Sequence, residues 1–286
     1  MSMNKWTIGG VLLTLTVVLI AVVAYWPTPS GPAVVPPTPE PVVLEPTPTS
    51  TVSVIGTSVE GRPIEAYTFG TGSNNLLYVG GVHGGYEANS VRLAQGMIEE
   101  FQINQMVIPA NITVHIIPNL NPDGYAKPES ASDADRRFNA NGVDLNRNFD
   151  CKWAPESSWR GQTVSAGTAP FSEPEAAALR DYVLANDPSA VVFWHSVANN
   201  VYGSECENGI LPETLALMST YAAAAQYGEV PKFDAYPITG DAEGWLASIG
   251  IPAVTVELET RDSIEWVRNW AGTLATLELY NENLAR

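Results

Sequence analysis

Four short apolar runs alternate with helix-like segments along the chain, and this alternation restricts the possible folds more than any other feature of the sequence. Short apolar runs bounded by turn residues are typical of strands that are buried on both faces of a sheet. Strands that alternate with helices predict an α/β fold, here a three-layer α/β/α sandwich around a mostly parallel or mixed sheet. The four runs are NNLLYVGGV, NITVHIIPNL, AVVFWHS and IPAVTVELE.

The amino-terminal region carries a longer apolar segment of a different kind. After Lys5, the run TIGGVLLTLTVVLIAVVAYW has no charged residue, and about 20 such residues are enough to cross a bilayer as a helix. We therefore expect residues 1–26 to form one transmembrane anchor. A cleaved secretory signal peptide is the alternative, because the small residues around Ala21 and Ala24 suit a signal peptidase. Both interpretations place the rest of the chain outside the cytoplasm, either membrane-anchored or secreted.

Proline dominates the next segment, residues 27–50. Proline at this density blocks helices and strand ladders, so we expect an extended linker there. From residue 51 the composition is that of a globular protein, and residues 51–286 are enough for one α/β domain with a sizeable core. All the chemically unusual side chains of the sequence lie within this range.

The charge balance excludes some classes of partner. The formal net charge is −17, from 31 acidic and 14 basic residues, which argues against binding to nucleic acid or to an anionic membrane surface. The two cysteines, Cys151 and Cys206, are expected to form one disulfide bond in an oxidising compartment. Two free buried thiols are the alternative.

Two of the three histidines stand at the ends of apolar runs. His83 follows YVGGV, His195 follows VVFW, and Glu87 lies at the start of a helical segment after His83. Two imidazoles and one carboxylate suit Zn²⁺ and leave a fourth position for water. His115 lies in the middle of the run ITVHIIP without an acidic neighbour, so we assign it to the core.

Basic and amide side chains concentrate in one loop, RRFNANGVDLNRNFD at residues 136–150. Arg147 with Asn146 can grip a carboxylate through a planar guanidinium and an amide. Arg137, or its neighbour Arg136, can stabilise an oxyanion. The alternative is a surface loop whose arginines pair with local aspartates such as Asp144 and Asp150.

Glu257 lies in an otherwise apolar run, AVTVELE, where a carboxylate is costly to bury without a partner. A role as general base toward a metal-bound water would explain it. A salt bridge, for instance with Arg261, is the alternative. Tyr236, in a loop with proline and glycine, can close over a bound substrate, or it is an ordinary half-buried tyrosine.

Taken together, these motifs resemble one family. GGVHGGYE, NPDGY, NGVDLNRNF, FSEPE, FWHS and TVELE are similar, in content and order, to motifs of the zinc metallocarboxypeptidases of the carboxypeptidase A type. The sequence especially resembles the bacterial branch that includes γ-D-glutamyl-meso-diaminopimelate peptidases. The resemblance extends from about SVIGTSVEGRPIEAY to TVELET, which is nearly all of the domain.

The resemblance implies one zinc ion and a role for each of the unusual side chains. The sequence differs from the family in one respect: Glu87 is four residues after His83, whereas the family usually places this glutamate three residues after the histidine. The glycine turn can absorb the extra residue. The implied roles are zinc binding by His83, Glu87 and His195, docking of the substrate carboxylate by Asn146 and Arg147, oxyanion stabilisation by Arg137, closure by Tyr236 and proton transfer by Glu257.

Glu243 falls seven residues after Tyr236, near the position where the family sets its side-chain preference. A carboxylate there favours a cationic group on the substrate, such as lysine, arginine or the side-chain amine of diaminopimelate. An exposed loop glutamate is the alternative interpretation.

The sequence thus predicts a monomeric, exported zinc exopeptidase that removes the C-terminal residue of peptides or cell-wall muropeptides. It would contact the membrane only through its N-terminal helix. A zinc deacylase or amidase acting on small acylated amino acids is one alternative, and a non-catalytic module that binds the cell wall is another.

Overall fold

The computed structural model describes residues 50–282, and its centre is an eight-stranded mixed β-sheet. The strand order across this sheet is β1-β2-β4-β3-β7-β10-β8-β9, and β5 pairs with β6 in a separate hairpin. The strands are β1 (Thr51–Thr57), β2 (Pro63–Gly70), β3 (Asn74–Val79), β4 (Ile112–Ile117), β5 (Glu156–Trp159), β6 (Gln162–Ser165), β7 (Ala190–Ser196), β8 (Asn200–Gly203), β9 (Gly228–Val230) and β10 (Ala253–Leu258).

The middle of the sheet is parallel and its flanks are mixed. Strands β4, β3, β7 and β10 run parallel to one another in that order. Strands β1 and β2 join antiparallel on one side, and β8 joins antiparallel on the other. Because parallel neighbours need a crossover, helices connect the central strands and lie on the faces of the sheet.

Helices cover both faces of the sheet. The α-helices are α1 (Ala88–Ile103), α2 (Pro122–Tyr125), α3 (Asp133–Arg137), α4 (Pro174–Asn186), α5 (Pro212–Ala225), α6 (Ala242–Ser248) and α7 (Trp266–Glu282). One apolar cluster contains residues of α1, α5 and α7, and a second contains residues of α4 and α6. Three short 3-10 helices span Gly84–Glu87, Gln105–Val107 and Leu145–Arg147.

Alternating side chains of β3 show how an apolar strand supplies both clusters. Leu76 and Tyr78 belong to the cluster with α1, while Leu77 and Val79 belong to the cluster with α4. Successive side chains of a strand point to opposite faces, so a continuous apolar run fits a strand that is covered on both sides. The α/β prediction with a mixed sheet is therefore confirmed.

The start of α4 differs from the sequence-based expectation. The sequence FSEPE suggests a capping box between Ser172 and Glu175, but α4 begins at Pro174 with Glu173 as its N-cap, and Ser172 donates to Glu173 instead. Glu175 accepts a hydrogen bond from the backbone of Val59 on a neighbouring loop. Ser172 therefore bonds its sequence neighbour and Glu175 bonds a separate loop, so the capping box does not form.

The predicted anchor and most of the predicted linker lie outside the described residues. Within residues 50–282, no helix combines the length and the apolar character that crossing a membrane requires. Cys151 and Cys206 form a disulfide bond with a Cα–Cα distance of 6.1 Å. This bond connects the segment after the 3-10 helix Leu145–Arg147 to the segment after β8.

Candidate active site

The carboxyl ends of the parallel strands β3 and β7 deliver two histidines to one edge of the sheet. His83 lies four residues beyond the end of β3, and His195 is the penultimate residue of β7. The 3-10 helix Gly84–Glu87 connects His83 to Glu87. Gly84 has a φ of +44°, and a Cβ atom there would lie 2.7 Å from the Tyr125 nitrogen. The glycine turn therefore accommodates the four-residue spacing.

Three potential ligand atoms converge at this edge. His83 Nδ1 lies 2.9 Å from Glu87 Oε1, His195 Nδ1 lies 2.9 Å from Glu87 Oε2, and the two Nδ1 atoms are 3.1 Å apart. All three side chains are buried. Ligands of a tetrahedral zinc ion at about 2.1 Å would lie about 3.4 Å from one another. The donor types and their spacing therefore fit one zinc ion.

The electrostatics of the three groups favour a cation between them. Burial would raise the pKa of Glu87, but the two imidazoles hold it well below its usual range. Burial would lower the pKa of His195, but the carboxylates of Glu87 and Glu243 raise it to about 10. The negative potential that stabilises a proton on His195 would also stabilise a divalent ion.

A second carboxylate lies near the outer nitrogen of each imidazole. Asp144 Oδ1 is 3.5 Å from His83 Nε2, and Glu243 Oε1 is 3.6 Å from His195 Nε2. Neither distance is that of a formed hydrogen bond. Such outer carboxylates orient metal-binding imidazoles and raise their basicity. The sequence alone indicates Asp144 only as a surface ion-pair partner, because its closeness to His83 depends on the fold.

Glu257 lies beside the ligand set without a partner of its own. Strands β10 and β7 pair in parallel, with Glu257 opposite His195. Its Oε2 atom is buried and accepts no hydrogen bond from the described residues. Burial, followed by repulsion from Glu87, raises the pKa of Glu257 to about 7. The salt bridge with Arg261 considered from the sequence is absent among the described residues, so that alternative is wrong.

Arg137 is the buried arginine of the basic loop that faces the ligands. Its Nε and Nη2 atoms each lie 2.9 Å from Asp144 Oδ2, and its Nη1 lies 3.7 Å from Glu87 Oε1. The sequence predicts an ion pair with Asp144 on the surface, but in the structure this pair is buried. Its neighbour Arg136 does not line the cavity described below. Of the two candidates, Arg137 is therefore the one that lines the cavity.

Asn146 and Arg147 lie together in the 3-10 helix Leu145–Arg147, both largely shielded from solvent. Asn146 Oδ1 accepts a 2.9 Å hydrogen bond from the Ala242 nitrogen at the start of α6. Arg147 donates to two backbone carbonyl groups, those of Asn146 and Ser158. Its Nε is buried without a partner. Within residues 50–282, no carboxylate lies close enough to form an ion pair with it, which leaves its charge available to an anionic ligand.

The loop before α6 and the start of α6 complete the site. The ring of Tyr236 packs against Phe233 at 4.8 Å between centroids, and the side chain is 37% exposed. Glu243 is 4% exposed and accepts a 2.7 Å hydrogen bond from Thr255. The alternative of an exposed loop glutamate at Glu243 is therefore wrong. Asp241 caps α6 by accepting from Gly244, and burial together with Glu243 raises its pKa to about 6.

One cavity of about 750 Å³ connects these side chains. Its walls contain the three potential ligands, two of the three arginines of the basic loop and the unpartnered glutamate, together with several aromatic residues. All residues assigned to the active site from the sequence line this cavity: His83, Glu87, Arg137, Asn146, Arg147, His195, Tyr236, Glu243 and Glu257. His115 does not line it and contacts Tyr182 and Asn75 in the core.

Comparison with known proteins agrees with the zinc site and the cavity described above. The family profile described as zinc carboxypeptidase matches residues 44–269. The chain is 24% identical over 238 residues to gamma-D-glutamyl-L-diamino acid endopeptidase 1 of Lysinibacillus sphaericus, covering 71% of this chain and 59% of that protein. It is 25% identical over 233 residues to murein peptide amidase A of Escherichia coli K12, covering 78% and 87%. Among the first curated relatives, the chain spans as little as 22% of their length.

Solved structures show the same fold. Carboxypeptidase A from Helicoverpa armigera superposes with a TM-score of 0.70 at 22% identity, covering 83% of this chain and 70% of that one. The profile match covers most of the chain, and a buried His-Glu-His set lies where one zinc ion would bind. The chain therefore belongs to the zinc carboxypeptidase family, whose members use one zinc ion to hydrolyse peptide bonds.

Proposed function

We propose that this protein is a zinc-dependent exopeptidase that removes the C-terminal residue from peptides or muropeptides. The observation that carries the proposal is the combination of an unpaired Arg147 and an unpartnered Glu257 in the cavity that holds the His83, Glu87 and His195 set. An enzyme that cuts chain ends needs a cation for the terminal carboxylate near its reacting groups. The cavity supplies the cation, Arg147, and the reacting groups.

Arg147 and Asn146 would bind the terminal carboxylate. Arg147 is held by hydrogen bonds to backbone carbonyl groups. No carboxylate of the described residues lies within ion-pair distance of it, although Asp144 and Asp241 are near enough for its charge to favour lower pKa values in both. Gly240 permits the close packing that holds this segment, because a Cβ atom at Gly240 would lie 2.2 Å from the Arg147 carbonyl oxygen. A planar guanidinium matches a carboxylate through paired hydrogen bonds.

The chemical step would use Glu257 and Arg137. A bound zinc ion would polarise the scissile carbonyl group and acidify a water molecule. Glu257 would accept the proton of the attacking water and deliver it to the leaving amine, since its raised pKa suits both transfers. Arg137, fixed by Asp144, would stabilise the developing oxyanion through Nη1. Tyr236 would close over the bound C-terminal residue.

The substrate side chain would be cationic. Glu243 is buried in the cavity wall. Asp241 lies close to it, and repulsion from the Glu243 carboxylate adds to the effect of burial in raising the pKa of Asp241. Two acidic groups at one site favour lysine, arginine or the amine of a diamino acid. The names of the endopeptidase and amidase relatives add support for a muropeptide that ends in a diamino acid.

Digestion of a mixed pool of peptides and muropeptides, read by mass, tests this function. We expect loss of single C-terminal residues that stops when zinc is chelated and resumes when zinc is restored. Cleavage of acylated amino acids alone would favour the deacylase alternative. Binding without turnover would favour the non-catalytic module, although a candidate for every catalytic role is present in the cavity.

We also propose that the catalytic domain lies outside the cytoplasm. The apolar run after Lys5 and the proline-rich residues 27–50 support a catalytic domain held outside the cytoplasm by an anchor, or secreted after cleavage. Fractionation of cells, followed by N-terminal sequencing of the mature protein, distinguishes the two. A full-length protein in the soluble cytoplasmic fraction would contradict both.

A further inference from the structure

A second arginine in the cavity is as free of acidic partners as Arg147. Arg261 follows β10 and lines the same cavity. Among residues 50–282, eight lysine and arginine side chains lie within 4.0 Å of a carboxylate oxygen. The exceptions in this part of the chain are Arg92, Arg136, Arg147 and Arg261, and neither Arg92 nor Arg136 lines the cavity. In a chain with 31 acidic residues, two unpaired arginines in one cavity indicate anionic ligands.

Neutral contacts hold Arg261 in place. Its guanidinium carbon lies 4.2 Å from the centre of the Tyr86 ring, and its Nη2 donates to Tyr86 Oη at 2.9 Å and to the Ser196 carbonyl oxygen at 3.5 Å. Its Nε is buried without a partner. A guanidinium that is stacked and bonded in this way is fixed in position but keeps its full charge.

The acidic residues nearest to Arg261 in the sequence do not form ion pairs with it. Glu259 and Glu265 both pair with Arg268, and Glu265 also accepts hydrogen bonds from the backbone nitrogen atoms of Glu259 and Thr260. Asp262 does not pair with Arg261 within the described residues. Local acids therefore leave the positive charge of Arg261 without compensation.

The contacts of Arg261 place it beside the metal ligands and away from Arg147. Ser196 follows His195, and its nitrogen donates to Glu87 Oε2 at 3.3 Å, while Tyr86 immediately precedes Glu87. Arg147 instead donates to the Ser158 carbonyl oxygen, and its own carbonyl oxygen lies against Gly240 in the segment before α6, so the two arginines share no bonding partner. If Arg147 holds the terminal carboxylate, Arg261 is available to the part of the substrate on the acyl side of the scissile bond.

We propose that Arg261 binds a second carboxylate of the substrate, carried by the residue on the acyl side of the scissile bond. This specificity role rests on the proposed exopeptidase function. The preferred substrate would carry two carboxylates, with its terminal carboxylate at Arg147 and an internal one at Arg261. The internal carboxylate is either the side chain of an α-linked acidic residue or the free α-carboxylate of a residue linked through its side chain.

Two matched substrate pairs test the proposal. One pair is acetyl-Glu-Lys and acetyl-Gln-Lys, and the other is acetyl-γ-Glu-Lys and the same compound with its glutamyl α-carboxylate converted to a carboxamide. Within each pair only the charge of one group changes. We expect kcat/KM for the carboxylate member of one pair to exceed that of its amide partner about 10- to 100-fold, the range for hydrogen bonds to a charged group. The pair that shows the preference identifies the linkage.

Variants assign the preference to Arg261. The selectivity ratio should fall close to one in Arg261→Gln and largely return in Arg261→Lys. Because both substrates of a pair are compared on one preparation, differences in folding or zinc content cancel. Arg160→Gln is the matched control, since Arg160 also lines the cavity near Tyr86 and Trp159 but is paired with Asp133. Its ratio should stay near that of the unmodified enzyme.

Three results would count against the proposal. Equal rates within both pairs, or an amide preference, would overturn it without affecting the exopeptidase function. A carboxylate preference that survives in Arg261→Gln would assign the role to another residue and also overturn it. Absence of zinc-dependent cleavage of all four substrates would overturn the exopeptidase function, and the role of Arg261 with it.

Discussion

Glu257 lies directly opposite His195 in the parallel pairing of β10 with β7. The register of two central strands therefore fixes the distance between the proposed base and a proposed zinc ligand. Both strands are covered on their two faces by the apolar clusters, so this register is strongly specified. A shift by one residue would turn Glu257 to the opposite face of the sheet.

Replacing Glu257 by Gln should lower kcat by about 10²- to 10⁴-fold, the usual contribution of a general base. Zinc content should stay at one per chain, because Glu257 is not among the three ligands. Metal analysis and steady-state kinetics of the same preparation check both points. Glu259→Gln is the control, since Glu259 is exposed and pairs with Arg268. Retained activity in Glu257→Gln would contradict the assignment of the base.

Replacing Arg147 by Gln should remove the preference for a free C-terminal carboxylate. We expect kcat/KM for a free-acid peptide to fall by about 100-fold or less, in line with lost hydrogen bonds to a charge, and the rate on the C-terminal amide to change much less. Arg92→Gln is a matched control, because Arg92 also lacks a carboxylate partner among the described residues but lies outside the cavity. Equal cleavage of acid and amide by the unmodified enzyme would exclude an exopeptidase.

Glu243→Gln should reduce the ratio of kcat/KM for lysine-ended over phenylalanine-ended peptides. The amide keeps an acceptor for Thr255 but loses the charge. Zinc affinity must be measured as well, because Glu243 Oε1 is 3.6 Å from His195 Nε2. Glu99→Gln on the exposed face of α1 serves as control. A phenylalanine preference in the unmodified enzyme would rule out an acidic pocket for cationic side chains. A changed zinc affinity with an unchanged ratio would make Glu243 a positioning residue for His195.

His115 should make the protein less stable as the pH falls below 6.5. Burial lowers the pKa of His115 to about 4, while the unfolded chain takes up the proton near pH 6.5. Between these pH values the unfolded state binds more protons than the folded state. The free energy of unfolding therefore decreases by about 1.4 kcal/mol for each unit by which the pH falls. Above pH 6.5 this group contributes no slope.

Urea unfolding at several pH values checks the His115 prediction by comparison with His115→Gln. The variant lacks this titrating group, so its curve should be flatter between pH 6.5 and 4. Other groups titrate in both proteins and cancel in the difference. Parallel curves would contradict the assignment of a neutral, buried His115.

The local part of the site could be read from the chain itself. His83, Glu87, His195 and Glu257 stand at or near the ends of apolar runs, and such runs become central strands because of their own composition. In an α/β sheet, side chains at the carboxyl ends of parallel strands gather at one edge. Periodicity and strand order are therefore enough to bring these groups together.

The short elements escaped prediction because their own sequences specify them weakly. Strands β8 and β9 are short, and the hairpin of β5 and β6 is largely polar. Pairing with a neighbour, rather than propensity, gives such segments their strand conformation. The position of Trp159 beside Tyr86, at 5.3 Å between ring centres, depends on that hairpin.

By itself, the amino-acid sequence determined the fold class, the central apolar strands and the set of side chains that converge on the candidate zinc site. Only the tertiary structure decided which charges are neutralised. Arg137 has Asp144 as its partner, whereas Arg147 and Arg261 have neutral partners within the described residues. Periodicity depends on neighbours along the chain, but charge compensation depends on contacts between residues far apart in it, such as Tyr86 and Arg261, and those contacts form only when the helices and strands pack.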